Sequence, residues 1–415
     1  MMKVIVAHPG QQHSYKTAVG LKEFNQLYKY ITTVYMKKKS ITNMISRFLP
    51  DNLKIRAINR KCNELDDHEI VQFCELEGLI LLFLQRVDKN KKLYDKWAQH
   101  ITKKFGVKVA EYAIKNNADA IIIYDTQGAY IGKYLRKHKS KIKLIMDVSA
   151  ANLDYMKEIY SKDFKICPSF KNRLLFERGY LWNDKVMKPL REEIIYPDAF
   201  LVGSSFVKKS LIFANVDEDK IYVCPYGSNF SSIEKKKFGV EKPLKLVYVG
   251  NVAAMKGIYY LLEAVMQFNK NDVELTLVGS YDNSDNTFDK YLKRVSFIGA
   301  VPHFEVKKYL ENADVFVMPS LGEGFNLSTV EALSLGLPCI VSNNSGINDF
   351  IVEEENGLTF NIQDIEDISK CIQWFLNNKS KLPSMSKKSL ETANVLTWNN
   401  YNKRLSKIVT EVVLK

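Results

Sequence analysis

Short apolar runs rich in Val, Ile and Leu, each followed by a stretch of helical periodicity, recur along the chain, and no other feature narrows its fold as much. In the second half the runs are LKLVYVG (244–250), VELTLVG (273–279), VSFIGAV (295–301), DVFVMPS (314–320) and PCIVSN (338–343). Between and after them lie KGIYYLLEAVMQF (256–268), FEVKKYLENA (304–313), STVEALSLG (328–336) and IEDISKCIQWFLNN (365–378), which read as helices. The first half follows the same scheme, with strands at 3–9, 28–36, 118–125, 141–149 and 198–204 and a helix at 13–24. Near-continuous apolar strands joined by crossover helices predict parallel sheets covered on both faces. The 415 residues exceed one ordinary core. The expected fold class is therefore α/β, with two Rossmann-like, doubly wound parallel-sheet domains facing across a cleft.

The polar stretch YGSNFSSIEKKKFGVEKP (226–243) ends at a proline before a new strand and marks the expected boundary. We divide the chain into 1–227, 228–397 and a terminal segment 398–415, whose WNNYNKRLSKIVTEVVL reads as an amphipathic helix. No apolar run approaches the roughly 20 residues that span a bilayer. The longest, LILLFL (Leu79–Leu84), reads as a buried strand or helix segment. The N-terminal MMKVIVAHPG enters its strand at once and lacks a cleavage-site pattern, so a cytoplasmic protein is expected. The six cysteines are scattered without a C-x-x-C pair, which argues for small buried hydrophobes rather than disulfides or zinc.

Charge is uneven. Residues 1–200 hold 36 Lys+Arg against 22 Asp+Glu, and residues 201–415 hold 24 against 25. The whole excess of positive charge belongs to the first half, which calls for an anionic partner there. That half carries no nucleic-acid-binding motif.

The chemistry concentrates in MPSLGEGFNLSTVEALSLGLPCIVSNNSG (318–346). A strand gives way to a turn with two glycines, Gly322 and Gly324, and then to a helix starting near Ser328. Free amides and the dipole at a helix start favour an anion. Glu323 on the loop suits sugar hydroxyls, and Glu331 one turn into the helix suits the two hydroxyls of a ribose. Against this, Ser328–Glu331 also reads as a capping box, and Glu323 as a solvated loop acid.

GEGFNLSTVEALSLGLPCIVSNNSGINDFI resembles the E-x7-E signature of retaining nucleotide-sugar glycosyltransferases of family 4, which have the GT-B fold. YVGNVAAMKGIYYLLEA (248–264), VELTLVGS, VSFIGAVPHFEV, ADVFVMPS, ENGLTF and TWNNY follow in family order. PDAFLVGSSFVKKSLIFANVDEDKIYVCPYGSNF (197–230) resembles the family's last N-terminal-domain strand and hinge, while earlier residues match loosely. The resemblance implies that Glu331 binds the nucleotide ribose and that Glu323 contacts the donor sugar. It implies that Gly324 and the amides of Phe325, Asn326 and Leu327 line the diphosphate. It also implies that Lys256 stabilises the departing diphosphate, and that Gly10, in HPGQQHS, lies near it. Glu323 and Lys256 are then the catalytic candidates. Many members place arginine where this chain has Asn251, and a histidine near IMDVSA (145–150), where this chain has Asp147. A weaker leaving-group clamp, or another cation, is implied.

On the acceptor side, His13 either touches donor or acceptor or caps the following helix. Asp125 and Gln127, in YDTQGAY, either meet acceptor hydroxyls or cap a turn. Asp147 joins them as an acceptor-side candidate. In the insertion at 37–117, KKKSITNMISRFLP places Ile41, Met44, Ile45, Phe48 and Leu49 on one helical face behind Lys37, Lys38 and Lys39. Such a basic amphipathic helix suits an anionic membrane surface or a lipid-linked acceptor, or packs that face onto its own domain.

The expected activity is a retaining, metal-independent glycosyltransferase of hexosyltransferase type. It uses a nucleotide-diphosphate sugar and a glycan or lipid-linked acceptor, in surface polysaccharide or glycolipid assembly, at the inner membrane face. No cofactor and no nucleic acid are expected. A nucleotide-sugar epimerase or hydrolase of the same fold, or a non-catalytic sugar-binding protein, are the alternatives.

Overall fold

The computed structural model of the chain describes residues 2–88, 92–125, 128–228, 238 and 243–415. Among them, two wholly parallel sheets form. The first contains β1 (Val4–Ala7), β2 (Leu27–Thr32), β3 (Ile70–Gln72), β4 (Ala120–Tyr124), β5 (Lys143–Val148), β6 (Ala199–Val202) and β7 (Ile221–Val223). The second contains β8 (Leu244–Val249), β9 (Val273–Val278), β10 (Ser296–Gly299), β11 (Val315–Met318), β12 (Cys339–Ser342) and β13 (Gly357–Phe360). The expected doubly wound α/β architecture is what is found.

Central strands such as AIIIY of β4 and VFVM of β11 are buried along their full length, as a parallel sheet with helices on both faces demands. All six cysteines are buried, consistent with their reading as small core residues.

The strand orders are β3-β2-β1-β4-β5-β6-β7 and β10-β9-β8-β11-β12-β13. In each sheet the winding direction reverses between the first strand and its fourth, β1/β4 and β8/β11. Loops leaving the carboxyl ends there diverge to opposite faces and open a crevice, where ligands of such sheets bind.

Two segments tie the halves together. The helix Trp398–Leu414 packs on Ser14–Glu23, with the Tyr401 hydroxyl 3.0 Å from Thr17 Oγ1 and Asn402 donating to Glu23 at 2.8 Å. The helices Leu153–Ile166 and Lys171–Arg178, inserted between β5 and β6, lean on the second domain. Asp163 accepts from Tyr260 (2.5 Å) and Gln363 (3.1 Å), and Arg173 pairs with Asp285 at 2.5 Å.

The insertion departs from expectation twice. LILLFL lies on the helix Glu75–Val87 and is not buried as a unit. Only Gly78 of that helix is buried, where it abuts Thr33 and Val34, so Leu76, Ile80, Phe83 and Val87 line an exposed stripe. The basic amphipathic helix is also shorter than expected. It spans Ile41–Ser46, and a second helix starts at Asp51 after Pro50. Its polar side faces the domain: Thr42 and Ser46 are buried, and Thr42 donates to Glu75. Ile41, Met44 and Phe48 stay exposed while Ile45 and Leu49 are half-buried, so the apolar face packs only in part on its own domain.

Candidate active site

The two loops at the crevice of the second sheet carry the predicted donor residues. After β8 the chain runs through Gly250 and Asn251 to a single 3₁₀ turn, Ala254–Lys256, and then the helix Ile258–Met266. Gly257 joins turn to helix at φ +65°, a left-handed conformation that favours glycine. A Cβ on Gly257 would also lie 1.9 Å from the Pro319 carbonyl oxygen, so the lysine turn rests directly on the root of the second loop.

That second loop leaves β11 through Pro319 and carries Glu323. The Lys256 ammonium contacts the Glu323 carboxylate, which also accepts from Ser320 Oγ at 3.3 Å. Both side chains are largely buried. Burial and the positive charge of nearby Arg178 push Lys256 down to about 8, while its carboxylate partner acts in the opposite sense. The expected cation of the diphosphate and the expected anchor of the sugar therefore touch.

The following helix, Leu327–Ser334, is capped by Asn326, whose Oδ1 accepts from Thr329 N, Thr329 Oγ1 and Ser328 Oγ, each at 2.8 Å. This corrects the expected start at Ser328, and the capping box is not formed. The single Ser328 hydroxyl proton is shared between Asn326 Oδ1 and the Val249 carbonyl, 3.0 Å away. Glu331 pairs with His303 Nε2 at 3.1 Å, and burial raises its pKa against the opposing effect of that histidine. The Phe325, Asn326 and Leu327 amides meet no acceptor among the described residues. Three free amides, an ammonium group and a half-buried carboxylate one turn on thus share one helix start. Asn251 is spent on scaffolding: its Oδ1 accepts from Ser280 and its carbonyl from Tyr248.

Across the cleft, three acceptor-side candidates meet at the carboxyl ends of β1, β4 and β5. His13 precedes the helix Ser14–Glu23, yet its side chain makes no capping bond. It pairs instead with Asp147 through Nε2–Oδ2 at 2.9 Å. Tyr226 donates to the other Asp147 oxygen at 2.8 Å, and Asp147 is buried. Asp125 accepts from Ser149 at 3.3 Å, and burial with the Asp147 charge pushes it up to about 7. Gln127 lies outside the described residues. Gly10 stands on the same loop, its amide donating to His8 Nδ1 at 2.8 Å. Burial pushes His8 down to about 4; the ring is neutral at pH 7 and carries its proton on Nε2.

The two clusters adjoin. Ser204 Oγ donates to the Gly324 carbonyl at 2.7 Å, and the Phe325 and Tyr226 rings stand edge to face with centroids 5.6 Å apart. His8, Tyr226, His303, Glu177 and Arg178 were not singled out from sequence. His8 opens the very loop that was quoted. Glu177 and Arg178 reach the lysine turn from 77 residues away, a proximity that only the docking of the two domains creates.

Residues 230–392 match the profile of the family Glycosyl transferases group 1, a stretch that holds the whole second sheet. Over 280 residues the chain is 27% identical to an uncharacterized glycosyltransferase, MJ1607, of Methanocaldococcus jannaschii, covering 63% of this chain and 67% of that protein. Among solved structures it resembles the lipopolysaccharide outer core galactosyltransferase WaaB, with a TM-score of 0.63 at 15% identity over 99% of both chains. It also resembles HepE of Anabaena, solved with UDP, with a TM-score of 0.63 at 12% identity over 99% of this chain and all of that one. HepE has been solved with UDP-glucose as well. The fold is GT-B. The chain spans 67%, 46% and 34% of the lengths of three curated relatives it matches.

Proposed function

We propose that the chain is a glycosyltransferase that moves a sugar from a nucleotide diphosphate to a hydroxyl acceptor with retention of anomeric configuration. The reading rests on one arrangement: Lys256, the free amides of Phe325–Leu327 and Glu331 share a single helix start at the crevice of the second sheet. A ribose at Glu331, a diphosphate on the amides and Lys256, and a sugar at Glu323 fit it in that order. The bond from the anomeric carbon to the diphosphate oxygen breaks, and the electron pair leaves with the phosphate. The acceptor oxygen forms the new bond on the same face, and its proton passes to the departing phosphate. Lys256 and the amides meet the developing charge, a role that calls for no metal. Family and neighbours support the activity class; the UDP and UDP-glucose complexes of HepE support the donor class.

A ribonucleoside diphosphate and its 2′-deoxy counterpart test the site by calorimetry. In wild type the deoxy form is expected to bind about tenfold more weakly, the range of a hydrogen bond to a charged group. In Glu331→Ala the two are expected to bind equally. Unequal binding that persists in the variant removes Glu331 from the ribose.

The acceptor belongs on the basic first domain, near His13, Asp125 and Asp147, and we assign it to an anionic membrane surface, in surface polysaccharide or glycolipid assembly. Met44, Ile55, Ile58, Leu76, Phe83 and Val87 lie exposed on three packed or neighbouring helices, and Phe48 (84% exposed) on the turn between the first two. Exposed Lys39, Arg47, Lys54, Arg56 and Arg86 are interspersed with them. No helix among the described residues is long and apolar enough to cross a membrane, so this face would lie on the surface. The protein is expected to float with vesicles of 30% phosphatidylglycerol at low salt. Phe48→Asp with Phe83→Asp is expected to cut partitioning at least about tenfold. Equal flotation of the double variant rules this face out.

A further inference from the structure

The position of Asn251 leaves the site with one ammonium for a group that leaves carrying two or more negative charges. A second cation packs on the turn that carries that ammonium, and it comes from the other domain. Arg178 ends the helix Lys171–Arg178 of the first domain, which docks on the lysine turn of the second. The adjacent Glu177 fastens the contact: its two carboxylate oxygens accept from Ala254 N at 2.8 Å and Met255 N at 2.9 Å. With the turn held in this way, the Arg178 guanidinium lies over Met255, directly before Lys256 in the chain. Nη2 and Nε approach the Met255 sulfur at 2.8 and 3.1 Å, and Nη1 approaches the Tyr180 hydroxyl at 3.3 Å.

These partners do not suit an arginine. A thioether is a weak acceptor, and a guanidinium offers five donors in a planar fork. Among the described residues no carboxylate forms an ion pair with Arg178, and Glu177, its neighbour, is spent on two amides. Among the described residues, then, a half-buried guanidinium without a counter-ion packs on the residue before an ammonium whose one carboxylate partner is Glu323, and the two cations together suit an anion. Arg178 depresses the proton affinity of Lys256.

We propose that Arg178 is the second cation of the diphosphate site, delivered in trans by the first domain to a site the second domain builds incompletely. The inference rests on the donor-site reading above. Planar bidentate contact with phosphate oxygens is what a guanidinium does best, and here it replaces the side chain missing at position 251. Donor binding and domain docking are thereby coupled: the diphosphate bridges Lys256 of one domain and Arg178 of the other.

Calorimetry with UDP, GDP, ADP and dTDP identifies the nucleoside diphosphate that wild type binds, which then serves as probe beside its monophosphate. Arg178→Gln is expected to weaken the diphosphate about 10- to 100-fold while changing the monophosphate less than threefold. Arg178→Lys, which keeps a cation at similar reach, is expected to recover most of the loss, with both variants melting near wild type. Diphosphate affinity unchanged in Arg178→Gln, while Lys256→Met loses it, overturns the role of Arg178 and leaves the donor site standing. Equal losses for diphosphate and monophosphate, or no recovery in Arg178→Lys, point to a structural residue and also overturn it. If wild type binds none of the four, the donor-site reading and this inference fall together.

Discussion

Lys256→Met is expected to lower turnover of a nucleotide-sugar donor by about 10²- to 10³-fold at saturation, the typical effect of removing one preorganised donor to a developing oxyanion. Lys256 is largely buried, touches Glu323 and stands at the helix start whose amides meet no acceptor among the described residues. Methionine keeps most of the side chain's apolar packing and removes the charge together with its N–H donors. Because burial and Arg178 hold the lysine near 8, the direction of the pH effect follows. The group is charged below that value and loses its charge as pH rises through it, so kcat/KM should decline above about pH 8. Lys256→Arg, cationic throughout, should be less active at pH 7 but lack the alkaline decline. A Lys256→Met enzyme within a few-fold of wild type would remove the lysine from the chemistry.

Gly324→Ala is expected to reduce turnover by about 10²-fold while leaving both domains folded. A Cβ there would sit 1.7 Å from the Ser149 carbonyl oxygen and 3.2 Å from Ala150 Cα, both backbone atoms of the first domain. Neither can give way without moving β5, so the separation between the halves must grow. Misplacement of reacting groups by about 1 Å is sufficient for a loss of that size. The melting temperature is expected to change by only a few degrees, because the clash lies between domains and not within a core. Small-angle scattering gives the second reading: the variant's radius of gyration should exceed that of wild type with nucleotide bound. Unfolding of the second domain alone would show that Gly324 serves its loop rather than the meeting of the halves.

Much of this was visible in the sequence, for a reason that also sets the limit. Strands such as AIIIY and VFVM declare themselves because parallel sheets bury both faces, and the glycine turn with its two acids stands out because loop and helix are contiguous in the chain. Asn326 escaped as the cap because Ser328 and Glu331 mimic a capping box, and the true cap lay two residues earlier. The contact of Lys256 with Glu323 follows from β8 and β11 being neighbours, which no local pattern encodes. The exposed stripe on Glu75–Val87 was misread as buried because an apolar helical face looks the same against a core or against a membrane. Asp147 was expected near the acceptor, but its bonds to His13 and Tyr226 span three separate segments. Arg178 depends on the docking of two domains, and its helix has no feature that marks it.

A crystal structure with the bound nucleoside diphosphate decides whether this helix start is the donor site. The ribose hydroxyls are expected on Glu331 in place of His303, the phosphate oxygens on the Phe325–Leu327 amides, and Lys256 turned from Glu323 toward the β-phosphate. A nucleotide lodged elsewhere, or one bound at this helix start with Glu331 still paired to His303 and Lys256 still on Glu323, would contradict this placement.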